Sequence, residues 1–300
     1  MEIFKRIMVA LDHTYFDREI LRYANYIASI VDPNKIYFVH VDRNLEVPDY
    51  LNFEYAQGST AVITPKDELL KQSIKKEVIK HYGAWQESKM KIKIAEGRPL
   101  HELLHWSKVK NIDLILVGNK KISDGSGITA NKLAREADCS VLFVPESSTL
   151  PLENILIPFD FSGNADQAVK MGLNLKKSIG DVILSVLHVF DVPLFNNYEI
   201  NVNYRELVNN VLQFKENSFS EYLKKQGLSD CNIQPIFIEN ETGRTAKYIS
   251  DYMIKNKVDL AVVGAKGHGA WDAFLMGSVT EKLLSLNTSN PILVLRKVNT

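Results

Sequence analysis

"EGRPLHELLHWSKVKNIDLILVG", residues 96–118, is matched by "TGRTAKYISDYMIKNKVDLAVVG", residues 242–264, at an offset of 146. Each copy starts near a Gly-Arg pair, runs through an amphipathic stretch of helical length and closes on an apolar run ending in glycine. Other pairs keep the same order. "RIMVALD" (6–12) resembles "NILIPFD" (154–160), and "FVHV" (38–41) resembles "VLHV" (186–189), both at an offset of 148. "GITANKL" (127–133) meets "GSVTEKL" (277–283) at an offset of 150. Offsets this constant mean a tandem duplication of a unit of about 150 residues, a domain-sized length and too long for a solenoid repeat. The joint falls in "PESSTLPLEN", residues 145–154, with its two prolines and small polar residues.

Within each unit, short apolar runs alternate with amphipathic segments. The runs at 35–41, 114–117, 141–144, 182–189 and 260–263 are rich in β-branched residues and read as buried strands of a parallel sheet. The segments at 16–30, 65–81, 100–110, 165–177, 204–225 and 245–255 read as helices. Strand–helix alternation predicts an open α/β sheet with helices on both faces, whose ligands sit beyond the carboxyl ends of the strands.

Thirty-six basic residues balance thirty-six acidic ones, and hydrophobic content is 45%. Nothing in that balance points to nucleic acid or an anionic membrane surface as partner. The two cysteines, Cys139 and Cys231, form no metal-type pair and suit a reducing compartment. The apolar run at 7–11 is too short for a signal peptide or a membrane span, so the expectation is a soluble, cytoplasmic protein.

"HELLH", residues 101–105, has the H-E-x-x-H pattern of zinc peptidases: two histidines on one helix face, with Glu102 as general base. On a helix turning about 100° per residue, Leu100, Leu103, Leu104 and Ser107 face the sheet and the histidines fall on a flank. Lys108 projects between them, where its ammonium opposes a dication. No motif supplies a third ligand, and the second unit reads "KYISD" at the same place. The expectation is a solvated flank and no metal site.

"VVGAKGHGAWDAFLMGSVTEKLL", residues 262–284, carries more chemistry. Gly264 ends a strand, Gly267 and Gly269 follow, and Gly277-Ser278-Val279-Thr280 opens an amphipathic segment. Glycines permit positive φ and close backbone approach, and successive N–H groups at a helix start favour phosphate. Ser278 and Thr280 add hydroxyl donors. The stretch is neither a Walker loop nor the dinucleotide fingerprint that follows a first strand.

Gly264-x2-Gly267-x9-Gly277-Ser278 resembles the ATP-binding motif of the universal stress protein family, and the resemblance covers the whole chain as two tandem domains. It extends to the strand-end aspartates with a hydroxyl residue two later, Asp12/Thr14 and Asp160/Ser162, and to the "HV" pairs. The resemblance implies two tandem Rossmann-like domains, each an open five-stranded parallel sheet of order 3-2-1-4-5, forming an intramolecular pseudo-dimer through strands 140–144 and 291–295. It implies a domain over 1–146, a linker over 147–153 and a domain over 154–300. It further implies ATP over strands 1 and 4, with Mg²⁺ or Mn²⁺ held mainly by the phosphates. By position, Asp160 would meet the ribose or adenine, Pro158 and Phe159 would line the base, and Val189 would meet adenine through its backbone. Gly264, Gly267, Gly269, Gly277, Ser278, Val279 and Thr280 would hold ribose and phosphates, with His268 as a further donor.

The first unit departs from this pattern. Lys121 stands at the place of Gly267, Ile128 at that of Ser278, and the loop from Gly118 to Gly127 is four residues shorter than that from Gly264 to Gly277. An isoleucine would desolvate phosphate oxygens without pairing them. Lys120, Lys121, Gly125 and Gly127 retain charge and flexibility, but this unit is expected not to bind ATP as the second does. The segment 42–64 is a candidate cover or contact surface. With no Walker-B partner or arginine finger in view, the expected function is a regulatory or stress-response protein that binds ATP, not an enzyme. The alternative is a scaffold that binds only other proteins; whether the chain pairs with a second copy stays open.

Overall fold

The computed structural model describes residues 4–42, 66–83, 87–119, 127–193, 203–265, 276–286 and 289–296. The chain divides into two compact units, one holding Met1–Leu150 and the other Pro151–Leu295. The first contains β1 (Arg6–Leu11), α1 (Asp17–Val31), β2 (Lys35–Asp42), α2 (Lys66–His81), a 3-10 turn (Glu87–Lys89), β3 (Met90–Glu96), α3 (Pro99–Val109), β4 (Leu114–Gly118), α4 (Gly127–Glu136) and β5 (Ser140–Val144). The second contains β6 (Asn154–Pro158), α5 (Gly163–Ile179), β7 (Ile183–Phe190), α6 (Tyr204–Gln226), β8 (Gln234–Glu239), α7 (Thr245–Lys255), β9 (Leu260–Gly264), α8 (Ser278–Leu286) and β10 (Ile292–Leu295). Strand order is β3-β2-β1-β4-β5 in the first unit and β8-β7-β6-β9-β10 in the second, all parallel. Both units thus have the 3-2-1-4-5 order and the two-domain α/β architecture expected.

The most deeply buried strands are those whose residues are nearly all apolar. Every residue of β4 and β5 is buried, as a parallel strand covered on both faces requires. α1 buries Ile20, Leu21, Ala24, Ile27 and Ala28, spaced three and four apart, against that sheet. Each large aliphatic side chain so buried contributes about 1.5–3 kcal/mol. The edge strands differ: β3, "MKIKIAE", alternates lysine with isoleucine, and β8 has no buried residue. Lysines on an edge discourage further strand pairing.

One aspartate does the same work in each repeat. Asp113 Oδ2 accepts the N–H groups of Lys5 (2.9 Å) and Arg6 (2.8 Å), and Asp259 Oδ2 accepts those of Glu153 (3.0 Å) and Asn154 (2.8 Å). Each ties the start of its unit's first strand to the start of the fourth. Around the joint the chain is anchored: Arg22 Nη2 donates to Ser148 O at 3.2 Å, and Leu152 is buried. Apart from Asp42, which ends β2, the segment expected as a cover lies outside the described residues. Among the described residues no helix is long and apolar enough to cross a membrane.

Candidate functional site

In the second unit β6 and β9 pair at two positions, Ile155 with Leu260 and Leu156 with Ala261. β6 stays paired with β7 as far as Pro158 with Leu187. Strands β6 and β9 therefore part early, and a crevice opens at their carboxyl ends, where the strand order reverses. At the end of β6 Pro158 is half-buried and Asp160 exposed, while the buried Phe159 ring packs against Phe219 and Tyr222 of α6; Gly264 ends β9 and Ala265 follows it.

The peptide of Val189 opens toward this crevice. Phe159 N–H donates to Leu187 O at 2.8 Å, and Asn240 N–H donates to Phe190 O at 2.8 Å. Peptide groups alternate sides along a strand, so Leu187 and Val189 face β6 while His188 and Phe190 face β8. At the level of Val189, β6 has already ended. Its N–H and C=O thus point past the end of β6.

The turn from β6 into α5 is tightly organised. Asp160 Oδ1 accepts the Ser162 N–H at 3.0 Å, and Ser162 Oγ caps α5 by accepting the Ala165 N–H at 3.2 Å. Between them Phe161 has a left-handed φ of 62°. His13, its counterpart in the first unit, has φ 59°. A bulky residue held there stores about 1–3 kcal/mol of strain.

Neither Gly264 nor Gly277 takes the positive φ that a glycine permits. Gly264 serves a close approach instead: a Cβ there would lie 2.7 Å from Asn164 Cβ and 3.1 Å from its backbone. The start of α5 therefore rests directly on the end of β9. Gly277 heads α8; its N–H donates to Ala265 O at 2.8 Å and its C=O accepts from Glu281 N at 2.9 Å. Having no side chain, it cannot cap the helix, and the N–H groups of Ser278, Val279 and Thr280 have no intrahelical acceptor. Ser278 and Val279 are exposed. Thr280 is buried, and its Oγ1 donates to Gly264 O at 3.0 Å. This corrects the expectation of a hydroxyl donor at Thr280, because its proton is spent holding α8 against β9. Gly267, His268 and Gly269 lie outside the described residues.

A sequence model of the universal stress protein family matches this chain twice, over residues 3–145 and 151–296. The chain belongs to the universal stress protein family. It is 28% identical over 145 residues to a universal stress protein of Methanocaldococcus jannaschii, covering 48% of this chain and 82% of that one. A universal stress protein structure from Archaeoglobus fulgidus is similar with a TM-score of 0.64 at 16% identity, over 97% of this chain and 98% of that chain. A universal stress protein solved in complex with cAMP is similar over 48% of this chain and 99% of its own, at 17% identity and a TM-score of 0.35.

The two universal stress protein units differ at the corresponding crevice. In the first, Phe16 stands where the second has Asn164, and it is 1% exposed. A Cβ on Gly118 would lie 2.5 Å from Phe16 Cε1, so the ring packs onto the end of β4 and makes that wall carbon. Asp17, where the second unit has Ala165, accepts the N–H groups of Asp12 (Oδ1, 3.1 Å) and His13 (Oδ2, 2.8 Å). Thr14 Oγ1 donates to Asp12 Oδ1 at 2.6 Å. A cavity of about 290 Å³ lies beside this turn, lined by His13, Asp17, Ser73, Ile74 and Glu77 among others, with none of its lining from β4. Lys121 and Gly125 lie outside the described residues, as does Lys120.

Asp17 is 8% exposed, and its carboxyl is pushed up to about 7, chiefly by burial. The Asp12 and His13 N–H groups oppose the rise and the Asp12 carboxylate adds to it. With the folded value above the ordinary 3.8, the folded unit binds the proton more tightly than the unfolded chain. The contribution of this group to the stability of the first unit is therefore fully present below about pH 4 and is lost as pH rises toward 7, by at most about 1.4 kcal/mol per pH unit. Native-state hydrogen exchange of β1 and α1 between about pH 4 and 7 measures that slope, and in Asp17→Asn it is expected to vanish.

The HELLH segment sits on α3 with Leu103 and Ser107 buried and His101 and His105 exposed, as the helical geometry predicts. His101 Nδ1 lies 3.1 Å from Glu102 Oε1, and His105 stands edge-on to Trp106 at 5.6 Å. Among the described residues no group of three or more histidine, cysteine, aspartate or glutamate side chains is placed to hold a metal ion. The residues that the sequence reading missed are Phe16, Asp17 and Asn164. Their signal is positional: at an offset of 148, Phe16 meets Asn164 and Asp17 meets Ala165 inside otherwise similar turns.

Proposed function

We propose that the second unit binds ATP in the crevice between β6 and β9, and that the chain acts as a nucleotide-responsive regulatory protein in a stress response. The observation that carries this reading is the pairing, at one strand-order reversal, of two backbone surfaces that have no partner among the described residues. The Val189 peptide faces the crevice from one side, and the uncapped start of α8 faces it from the other. A flat heterocycle that donates and accepts suits the first; a polyphosphate suits the second, where N–H groups and the helix dipole favour anions. Asp160, next to the buried Phe159, would accept from a ribose or an exocyclic amine. Pro158 would flank the base, and Gly277 would let the chain run close to the ligand; Gly264 and the Phe159 ring, packed on Asn164 and on Phe219 and Tyr222, would support the site from behind. A divalent ion would be carried by the phosphates. The first unit, with carbon at the matching wall, would serve as a partner domain without this ligand.

Calorimetric titration of the purified chain with ATP tests the reading. One site per chain is expected, with adenosine binding more weakly because it lacks the groups that α8 would hold. No heat and no retained ligand at millimolar ATP would refute it in favour of the protein-binding scaffold.

A further inference from the structure

The carbonyl of Phe159 lies 2.7 Å from His188 Nδ1. A carbonyl only accepts, so Nδ1 carries the ring proton and Nε2 is left as a lone pair. Nε2 is buried and has no hydrogen-bond partner among the described residues. The ring is 8% exposed and stands edge-on to Phe161 at 5.0 Å and Phe237 at 6.3 Å. Burial holds the imidazole below its ordinary range, and the bond to Phe159 works against that. Lys215 on α6 lowers it further, while Asp160 beyond β6 and Asp191 beyond β7 oppose; β8 presents Phe237. A protonated ring would have to place a second N–H among aromatic rings with no acceptor.

The two ends of this bond adjoin two proposed ligand contacts. Phe159 precedes Asp160, and His188 precedes Val189. The bond extends the tie between β6 and β7 one step beyond Phe159 N–H to Leu187 O. We propose that His188 is a positioning residue of the crevice, which holds Asp160 and the Val189 peptide at a fixed spacing while its ring is neutral and releases them when the ring takes up a proton. This rests on the nucleotide reading of the second unit. The first unit keeps the clamp, with His40 Nδ1 3.1 Å from Leu11 O, but faces it with the His13 ring at 5.9 Å where the second has Phe161.

The direction with pH follows. A base held below its ordinary value, about 6.5 for histidine, leaves the fold unpenalised above that pH and weakens it as pH falls below it. Acidification should therefore loosen the crevice.

The test uses the full chain as wild type, His188→Asn, whose amide N–H replaces Nδ1–H without titrating, and His188→Leu. Nitrogen NMR of the ring should show a protonated Nδ1 and a bare Nε2 at neutral pH. In His188→Leu, amide protection at Phe159 and Asn240, whose N–H groups donate to Leu187 O and Phe190 O on either side of His188, and ATP affinity should each fall about tenfold, with His188→Asn within about threefold of wild type. ATP titrates in the same range, so the forms are compared at each pH from about 7.5 to 5.5. Wild-type affinity should fall toward that of His188→Leu on acidification, and His188→Asn should not follow. A ring proton on Nε2, a leucine variant equal to wild type, or the same acid limb in the asparagine variant would each overturn the proposal. If the amide protections change as expected but no form binds ATP, the clamp stands and the nucleotide reading fails.

Discussion

Gly277→Trp should lower the affinity of the second unit for ATP by on the order of 100-fold or more, a loss of at least about 2.7 kcal/mol. Gly277 heads α8, and the N–H groups of Ser278, Val279 and Thr280 lie just behind it. An indole brings about 200 Å² of bulk to that point and stands over the helix start that the phosphates would approach. The fold should survive. The backbone of Gly277 is not left-handed, so a side chain is compatible with it, and both of its hydrogen bonds, to Ala265 and from Glu281, are main-chain bonds. Unchanged secondary structure by circular dichroism, with ATP binding lost by calorimetry, is the expected pair of results. Retained affinity would move the phosphates away from α8.

Phe16→Ala should cost the first unit about 3–5 kcal/mol, the usual range for removing a buried phenylalanine ring. Phe16 is among the largest fully buried side chains, and its ring lies against Gly118 so closely that no Cβ would fit between them. Ile20, which meets the same point over Gly118, is itself buried and apolar, so that side of the vacated space offers water no polar partner. Set against a typical domain stability of about 5–15 kcal/mol, the loss would show as a large drop in the urea midpoint of this unit. Hydrogen exchange at α1 and β4 would localise it. A cost below about 1 kcal/mol would mean that the ring is not the wall of the first crevice.

The architecture was legible because the duplication repeats its physics along with its letters. Asp113 and Asp259 pin the same two strands in both units, and the wholly apolar runs 114–117 and 260–263 became inner strands. A search for continuous apolar runs passes over β3 and β8, because edge strands wet on one side alternate lysine, glutamine or proline with isoleucine. That Pro158 and Val189 fall at the carboxyl ends of neighbouring strands, with Asp160 just beyond, could be anticipated from the apolar runs alone. The roles of Thr280 and Gly264 could not. Whether a hydroxyl points at a ligand or at a strand carbonyl, and whether a glycine makes room for phosphate or for Asn164, depends on how a helix settles on the sheet. No local pattern records that distance. Phe16 and Asp17 were visible only by comparing the chain with its own second half, where a carbon ring and a buried carboxyl replace an amide and a methyl.

The most direct measurement is the number of adenine nucleotides held by each purified chain after incubation with ATP. The protein is freed of excess ligand, denatured, and the released nucleotide is separated and counted against protein. About one per chain, falling to none in Gly277→Trp, is the predicted result: one competent crevice in the second unit and none in the first. Two per chain would contradict the carbon-walled reading of the first unit, and none would contradict nucleotide binding itself.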